Sequence, residues 1–512
     1  MGIWSFYFLL KLYFYLRGYI RFNFLLNILL AVFIILPVPK TAPACKFLKI
    51  AKFILSLVLA FLLFWYDSWL PPLFYSIRKL METGGISSGF IIRFIASNID
   101  LIQASILTAV FIITVLLRRY LKFLTPVIFI LMLLVPLLSA GKQKEDMGTY
   151  LNAFYQSESK RIVHFEKAKS AGQDFDIIIL HICSLSWDDL RTVGMENNPF
   201  FKQFNFLFTN FNSVSSYTTP SIIRLLRENC GQERHDALYH DSPKECFLLE
   251  SLRGLGYETY SAVDNDAPPS YNWIPDAINY GLIDPPIDFR GLPIRQYDFD
   301  NSPIYDDLSI LKRWWDIRQK SGGEKAALYF DITTLHIGAH WTDDKDWWKK
   351  NPSVLYGEYL ANLFENLQNF FNVLASSGRN FVVIFIPEHG AALRSSSIQA
   401  ADIRDIPLPK ITLIPVGIKF IGKRYPLDSI PQQKIISKPA SYLAISYLLS
   451  SFLKESPFDG TGRFPSQNLL TEIPETNFVS ANKEAIIVKK GSDYYLCGKD
   501  KQWVKLPPSA VP

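Results

Sequence analysis

Acidic side chains are nearly missing from the first 140 residues, where Asp67, Glu82 and Asp100 stand against 13 lysines and arginines. Beyond residue 140 the imbalance disappears, with 40 basic against 44 acidic residues. The net charge of +6 is therefore no signature of nucleic-acid binding. The surplus lies among apolar runs, where it reports membrane orientation rather than a phosphate-binding face. Cysteine is also scarce, five in 512 residues, which excludes a small disulfide-stapled scaffold. A hydrophobic fraction of 49% excludes a disordered chain and leaves material for two or more cores.

What the first 140 residues do contain is five apolar stretches: Ile3–Leu16, Phe22–Val38, Ala51–Trp65, Leu101–Leu117 and Phe123–Ala140. A single span needs about 20 mostly apolar residues, so several of these draw on their aromatic flanks. The first carries Lys11 in mid-run, has no small-residue cleavage site and leads into more spans; it is read as retained rather than as a cleaved signal peptide. Lys40, Lys46, Lys49 and Lys52 separate the second and third stretches, and Arg118, Arg119 and Lys122 the fourth and fifth. Both loops are expected in the cytoplasm. About five transmembrane helices over 1–140 then place everything after residue 140 outside, in the periplasm of a Gram-negative cell, with the chain a multi-pass protein of the bacterial inner membrane. Arg17 and Arg21 run against that count. The segment Asp67–Asp100 is read as an external interfacial piece.

After a linker over 141–170, residues 171–512 are expected to form one outer domain. Asp176–Ile182, Ala327–Ile332, Phe381–Ile386 and Ile411–Phe420 are near-continuous β-prone runs, typical of strands buried on both faces. Helix candidates lie between them: Pro220–Glu228, Cys246–Leu255, Leu308–Gln319, Val354–Ser377 and Ala440–Leu453. The alternation predicts an α/β sandwich with a mainly parallel central sheet. Ala485–Lys489 and Tyr494–Cys497 read as a C-terminal hairpin, with Gln502–Leu506 a candidate third strand.

In an open parallel sheet, ligands gather beyond the carboxyl ends of the strands. There the sequence sets Cys183 after the first strand, His336 and His340 after the second, and Glu388-His389 after the third. A lone Cys at a strand end is more often a small buried hydrophobe, and adjacent side chains on a strand point to opposite faces. Together, thiolate, carboxylate and imidazole supply three of the four positions of a tetrahedral zinc site. The fourth element is Ser215–Ser221: with Thr219 as N-cap and Pro220 at the first helical position, Thr218 projects at a helix start whose free N–H groups attract an anion. Arg224 and Arg227 are read as structural or solvated before phosphate partners. Gly338 between His336 and His340 argues for a loop, so an acid–base or substrate role suits either, and His181 is most simply a satisfied core residue. Cys230 and Cys246 are the natural disulfide of an oxidising compartment, contributing roughly 3 kcal/mol. Trp187, Trp273, Trp314, Trp315, Trp341, Trp347 and Trp348 can stack on sugar rings, though core or interfacial places suit most of them better.

A ligand at a strand end, a hydroxyl at a helix start and a late acid–His pair resemble the alkaline phosphatase and sulfatase superfamily, particularly its membrane-anchored phosphoethanolamine transferases. More narrowly, ICSLSW (182–187), FNSVSSYTTPSIIRLLRENCGQ (211–232), SPIYDD (302–307), PEHGAAL (387–393) and RDIPLPKIT (404–412) look like the cellulose phosphoethanolamine transferases of bacterial cellulose secretion. The resemblance implies a zinc enzyme in which Cys183, Glu388 and His389 hold the metal and Thr218 is nucleophile and fourth ligand. Tyr217 and Arg404 would line the site. His340 would be the active-site histidine; Ala339 departs from the Gly-Ser pair of relatives, so His336 stays a candidate. Position 218 is Thr where the cellulose enzymes have Ser, and Cys183 stands where the wider superfamily has a carboxylate. The implied reaction transfers phosphoethanolamine from phosphatidylethanolamine to the glucose 6-hydroxyls of secreted cellulose, beside the cellulose synthase complex. Transfer to lipid A, hydrolysis by a phosphatase or sulfatase, and an inert scaffold are the alternatives.

Overall fold

The computed structural model describes residues 4–16, 20–38, 45–68, 73–74, 89, 92–93, 101–116, 124–139, 144–166, 174–265, 274–279, 281–425, 427, 433–458, 468–498 and 503–511. The chain forms two compact units. One comprises Met1–Met81, Phe94–Glu145 and Ser395–Ala401, and the other Glu82–Arg93, Asp146–Arg394 and Asp402–Pro512. The interfacial piece expected over Asp67–Asp100 lies almost wholly outside the described residues.

In the first unit all five apolar stretches are helical: Trp4–Leu16, Phe24–Ile35, Cys45–Asp67, Leu101–Leu116 and Leu124–Ser139. Among the described residues one helix, Lys46–Asp67, is long and apolar enough to cross a bilayer by itself. The others have 13, 12, 16 and 16 residues, below the roughly 20 that a perpendicular span requires. The helices are inside-out: Phe47, Ile50, Ile54 and Phe61 are exposed while Lys11, Asn27, Ser56 and Asp67 are buried, the reverse of a bundle stabilised by water. Lys11, puzzling in an apolar run, is explained by its partners. Its Nζ donates to Asp67 Oδ2 at 2.5 Å and Asn27 Oδ1 at 2.8 Å, and Asn27 Nδ2 donates to the same Asp67 oxygen at 2.7 Å. The Asn23 amide completes the carboxylate's shell at 3.1 Å. Three helices are thus tied by one buried, fully paired charge.

The second unit is an α/β sandwich. Its strands are β1 (Asp176–Ile182), β2 (Phe206–Asn212), β3 (Glu258–Val263), β4 (Ile294–Tyr297), β5 (Pro303–Tyr305), β6 (Ala326–Ile332), β7 (His340–Trp341), β8 (Phe381–Pro387), β9 (Leu413–Ile421), β10 (Lys434–Ile436), β11 (Val479–Ala481), β12 (Ile486–Lys490), β13 (Asp493–Cys497) and β14 (Trp503–Lys505). The seven-stranded central sheet runs β10-β2-β9-β8-β1-β6-β3. It is mixed rather than uniformly parallel, because β9 lies antiparallel to both β2 and β8 while the remaining neighbours are parallel. β9 follows directly from the short helix Pro409–Thr412 and so enters the sheet from the edge where β2 and β8 leave it, a direction that hydrophobicity cannot encode. β1, β6 and β8 are buried along their whole length. Ile177 and Ile179 face one layer, with the helices Thr218–Leu226, Leu248–Gly254 and Leu443–Lys454; Ile178, Leu180 and Ile182 face the other, with Asp307–Lys320 and Pro352–Ser376. The C-terminal hairpin is part of a four-stranded antiparallel sheet, β11-β12-β13-β14. Gly491, at φ 61°, supplies the left-handed turn that a two-residue hairpin loop demands. The stretch read as a linker carries the helix Lys144–Glu158, whose Met147, Leu151 and Phe154 pack on Val479 and Val488 of this sheet.

Lys11→Met should strand the Asp67 carboxylate and cost about 3–5 kcal/mol, read as a lowered melting temperature of the protein in detergent. Lys11→Met combined with Asp67→Leu should recover part of the loss.

Candidate active site and metal centre

β1 lies between β6 and β8 and is parallel to both, so three carboxyl ends share one edge. Backbone hydrogen bonds continue past the strands: Cys183 N–H donates to Ile332 O at 2.8 Å, Glu388 N–H to Ile182 O at 2.8 Å, and Leu185 N–H to His389 O at 2.6 Å. Ser184 has φ 67°, a left-handed conformation that costs a non-glycine residue free energy. Tyr356 Oη donates to its carbonyl at 2.6 Å and Arg404 Nη1 to its Oγ at 3.0 Å, which hold it there. At Gly390 an added Cβ would stand 2.6 Å from Ser186 Oγ and 2.7 Å from Asp189 Oδ2; the absence of a side chain lets the chain turn under the Ser186–Thr192 segment.

That turn is what unites Glu388 and His389. Their ligand atoms and Cys183 Sγ lie within 4.8 Å of one another, all buried. His389 Nδ1 is 3.1 Å from the Gly390 carbonyl; the tautomer that donates there leaves Nε2 facing Glu388 Oε2 at 3.4 Å, as metal-ligating histidines are commonly arranged. Burial and then the Glu388 charge push the Cys183 thiol well up, with Arg404 opposing. Burial also opposes the Glu388 charge, yet His389 and His181 hold its carboxyl below the usual range. Both Glu388 oxygens and His389 Nε2 are buried without a well-formed hydrogen bond, a costly state unless a cation takes them. A dication at this point would also reverse the sign of the thiol shift. The donor set fits zinc.

Thr218 opens the helix Thr218–Leu226, two residues earlier than the sequence predicts. Tyr217, not Thr219, occupies the N-cap, without a side-chain cap bond, and Pro220 falls within the first turn. Helix boundaries shift this easily because any of the first four amides is unpaired inside the helix. Thr218 Oγ1 is 3.7 Å from Cys183 Sγ, so the hydroxyl stands beside the cluster. Tyr217 Oη donates to the Asp405 carboxylate, and Arg404 Nη1 stands 3.2 Å from His389 Nδ1. The segment is held from the C-terminal sheet by Asn482, which the sequence reading missed. Its Nδ2 donates to Ser216 Oγ at 2.7 Å, Arg404 O at 3.2 Å and Asp405 O at 3.0 Å, and its Oδ1 accepts from Ser215 Oγ at 3.0 Å.

Comparison with known proteins agrees with the motifs. Residues 138–503 match the family model described as "Cellulose biosynthesis protein BcsG C-terminal domain", and 4–136 match that of the BcsG N-terminal domain. The chain belongs to the BcsG family. It is 29% identical to the cellulose biosynthesis protein BcsG of Escherichia coli K12 and 30% identical to that of Salmonella typhimurium LT2, in each case over 98% of this chain and 96% of the relative. Among solved structures, a protein in the alkaline phosphatase superfamily from Vibrio parahaemolyticus superposes with a TM-score of 0.47 at 14% identity, covering 71% of this chain and 88% of that one.

In this BcsG-family chain the two loop histidines stand outside the Cys183 cluster. His336 Nδ1 is 2.9 Å from Asp298 Oδ1. His340 begins β7, its ring stacked on Trp347 at 4.5 Å, and burial lowers its pKa. Gly338, at φ 92°, makes the connection a loop, as expected. The SPIYDD motif explains how that loop is held. Asp307 accepts from Thr334 Oγ1 at 2.6 Å, and Asp264, at the end of β3, accepts from Thr333 N–H and Oγ1 at 2.6 and 2.7 Å. Burial pushes both carboxyls up, and the neighbouring Asp264 charge adds to the rise at Asp307.

The Cys230–Cys246 disulfide is present. Arg224 and Arg227 are buried and donate to the carbonyls of Glu233 and His240 inside its loop, a structural task. Trp314, Trp315 and Trp347 are buried in the core rather than open to a sugar; Trp273 lies outside the described residues.

Asn482→Ala should cost about 1–3 kcal/mol and loosen the 215–218 and 404–405 segments together, seen as faster amide hydrogen exchange at both.

Proposed function

We propose that this chain transfers phosphoethanolamine from phosphatidylethanolamine to the 6-hydroxyls of glucose units in secreted cellulose, through a phosphoethanolamine ester on Thr218. The observation that carries the reading is the Thr218 hydroxyl beside a buried thiol, carboxylate and imidazole at one sheet edge. Membership of a cellulose-biosynthesis family supports the acceptor. Cys183, Glu388, His389 and Thr218 would hold zinc, which when bound supplies Lewis acidity toward the hydroxyl and the phosphoryl oxygens.

Thr218 Oγ gives up its proton as it attacks phosphorus, the bond to the diacylglycerol oxygen breaks, and that oxygen takes the proton. A glucose 6-hydroxyl then attacks the Thr218 ester, its proton leaves, and the threonine oxygen is released. His340 is assigned the proton transfers, because burial lowers its pKa and leaves the ring neutral, able to accept a proton, at pH 7. His336, oriented by Asp298, is the alternate. Tyr217 and Arg404 line the entrance, and the uncapped amides at the start of the Thr218 helix favour the phosphoryl anion.

In this reading all five N-terminal helices of 1–140 lie in the inner membrane, 141–170 form the connection and 171–512 stand in the periplasm, within reach of the cellulose synthase complex. Anchoring raises the effective concentration of a lipid donor at the site.

Intact mass of the full-length protein after exposure to phosphatidylethanolamine should rise by one phosphoethanolamine group, mapped to the peptide carrying Thr218. Thr218→Ala should lose the adduct and, on the order of 10³-fold or more, the transfer rate. Labelled donor offered with cellulose, lipid A or buffer alone identifies the acceptor; label released equally into buffer would mean a hydrolase. A neutral His340 acting as base loses activity as pH falls, and its lowered pKa puts that acid limb below the ordinary histidine value of about 6.5. His340→Ala should remove the limb, and an unchanged profile would reassign the role to His336.

A further inference from the structure

His181, read from sequence as a core residue, is only half satisfied. Its Nδ1 is 2.9 Å from Tyr329 Oη, while Nε2 is fully buried with no hydrogen-bond partner among the described residues. On β1 it is two residues before Cys183, hence on the same face, and it stands opposite Asp331 in the β1–β6 register. Ligand atoms of His181, Asp331 and Glu388 lie within 4.8 Å of one another, and all three residues are completely buried. Glu388 therefore belongs to two clusters, with Cys183 and His389 at the mouth of the sheet and with His181 and Asp331 one layer deeper.

The charges make this arrangement expensive as it stands. Two carboxylates and a thiol meet at a buried edge, and carboxylates that close cannot both remain ionised without a proton or a cation between them. Arg404, the guanidinium of this region, reaches Ser184 and His389, on the side of the first cluster.

We propose that His181, Asp331 and Glu388 form a second divalent-cation site, with Glu388 as the bridging carboxylate between it and the site of Cys183 and His389. One imidazole and two carboxylates suit Zn²⁺ or Mn²⁺ better than a thiophilic ion. A cation there would be bound by His181, Asp331 and Glu388 together and add positive charge behind the Thr218 hydroxyl. The proposal depends on the catalytic-metal reading only through the shared Glu388.

The test counts metal. Full-length protein in detergent is stripped with a chelator, reloaded with Zn²⁺, dialysed and measured by inductively coupled plasma mass spectrometry, with melting curves to verify folding. The wild type should retain two zinc ions per chain, and Asp331→Asn and His181→Gln should each retain one. Cys183→Ala should also retain one, lost on adding Asp331→Asn. A single zinc in the wild type, or the same count in wild type and Asp331→Asn, overturns the second site. An unchanged count in Cys183→Ala would instead sink the catalytic-metal reading and leave this one standing. Should the variants fail to fold, wild type reloaded with Mn²⁺ decides: a spin-coupled pair in the electron paramagnetic resonance spectrum supports the bridge, and the signal of isolated Mn²⁺ alone overturns it.

Discussion

Ionisable donors buried together must be compensated, and this constraint organises the α/β unit. Cys183, Glu388 and Asp331 project from three neighbouring parallel strands into a region that water does not reach. Desolvation disfavours each charge, and proximity disfavours them jointly. The fold offers imidazoles from His181 and His389 and one guanidinium from Arg404, which leaves the cluster suited to a cation rather than to an empty cavity. The same low dielectric that makes the arrangement costly without a cation makes it strong with one.

Holding such a cluster requires rigidity from outside it. The strained Ser184 is pinned by Tyr356 and Arg404, and Gly390 permits a contact that no other residue allows. Asn482 fastens the segment before Thr218 to the backbone of Arg404 and Asp405. Asp264 and Asp307 do the same for the loop that carries His336 and His340. Residues from β3, the Asp307 helix and the C-terminal sheet thus position groups that lie far away in sequence, a division between supporting and reacting residues that a preorganised site needs.

The N-terminal unit solves the opposite problem. Its apolar side chains face outward, and a buried ion pair, Lys11 with Asp67, is enclosed by Asn23 and Asn27. There the polar contacts among Lys11, Asn27 and Asp67 tie the helices together, where hydrophobic burial does so in the α/β unit.

Amino-acid order by itself determined the local elements: β1 was legible to the residue, β6 and β8 to within one, because strands buried on both faces read as unbroken apolar runs. Motif order likewise led to Cys183, Thr218, Glu388 and His389, since chemistry-bearing residues gather where such runs end. The antiparallel direction of β9, the helix start at Thr218, the half-satisfied His181 facing Asp331, and the task of Asn482 were decided only by tertiary structure. Each depends on pairing between segments up to 267 positions apart, as in Ser215 and Asn482, and neither hydrophobic periodicity nor local propensity carries information about which distant partner a polar side chain will meet.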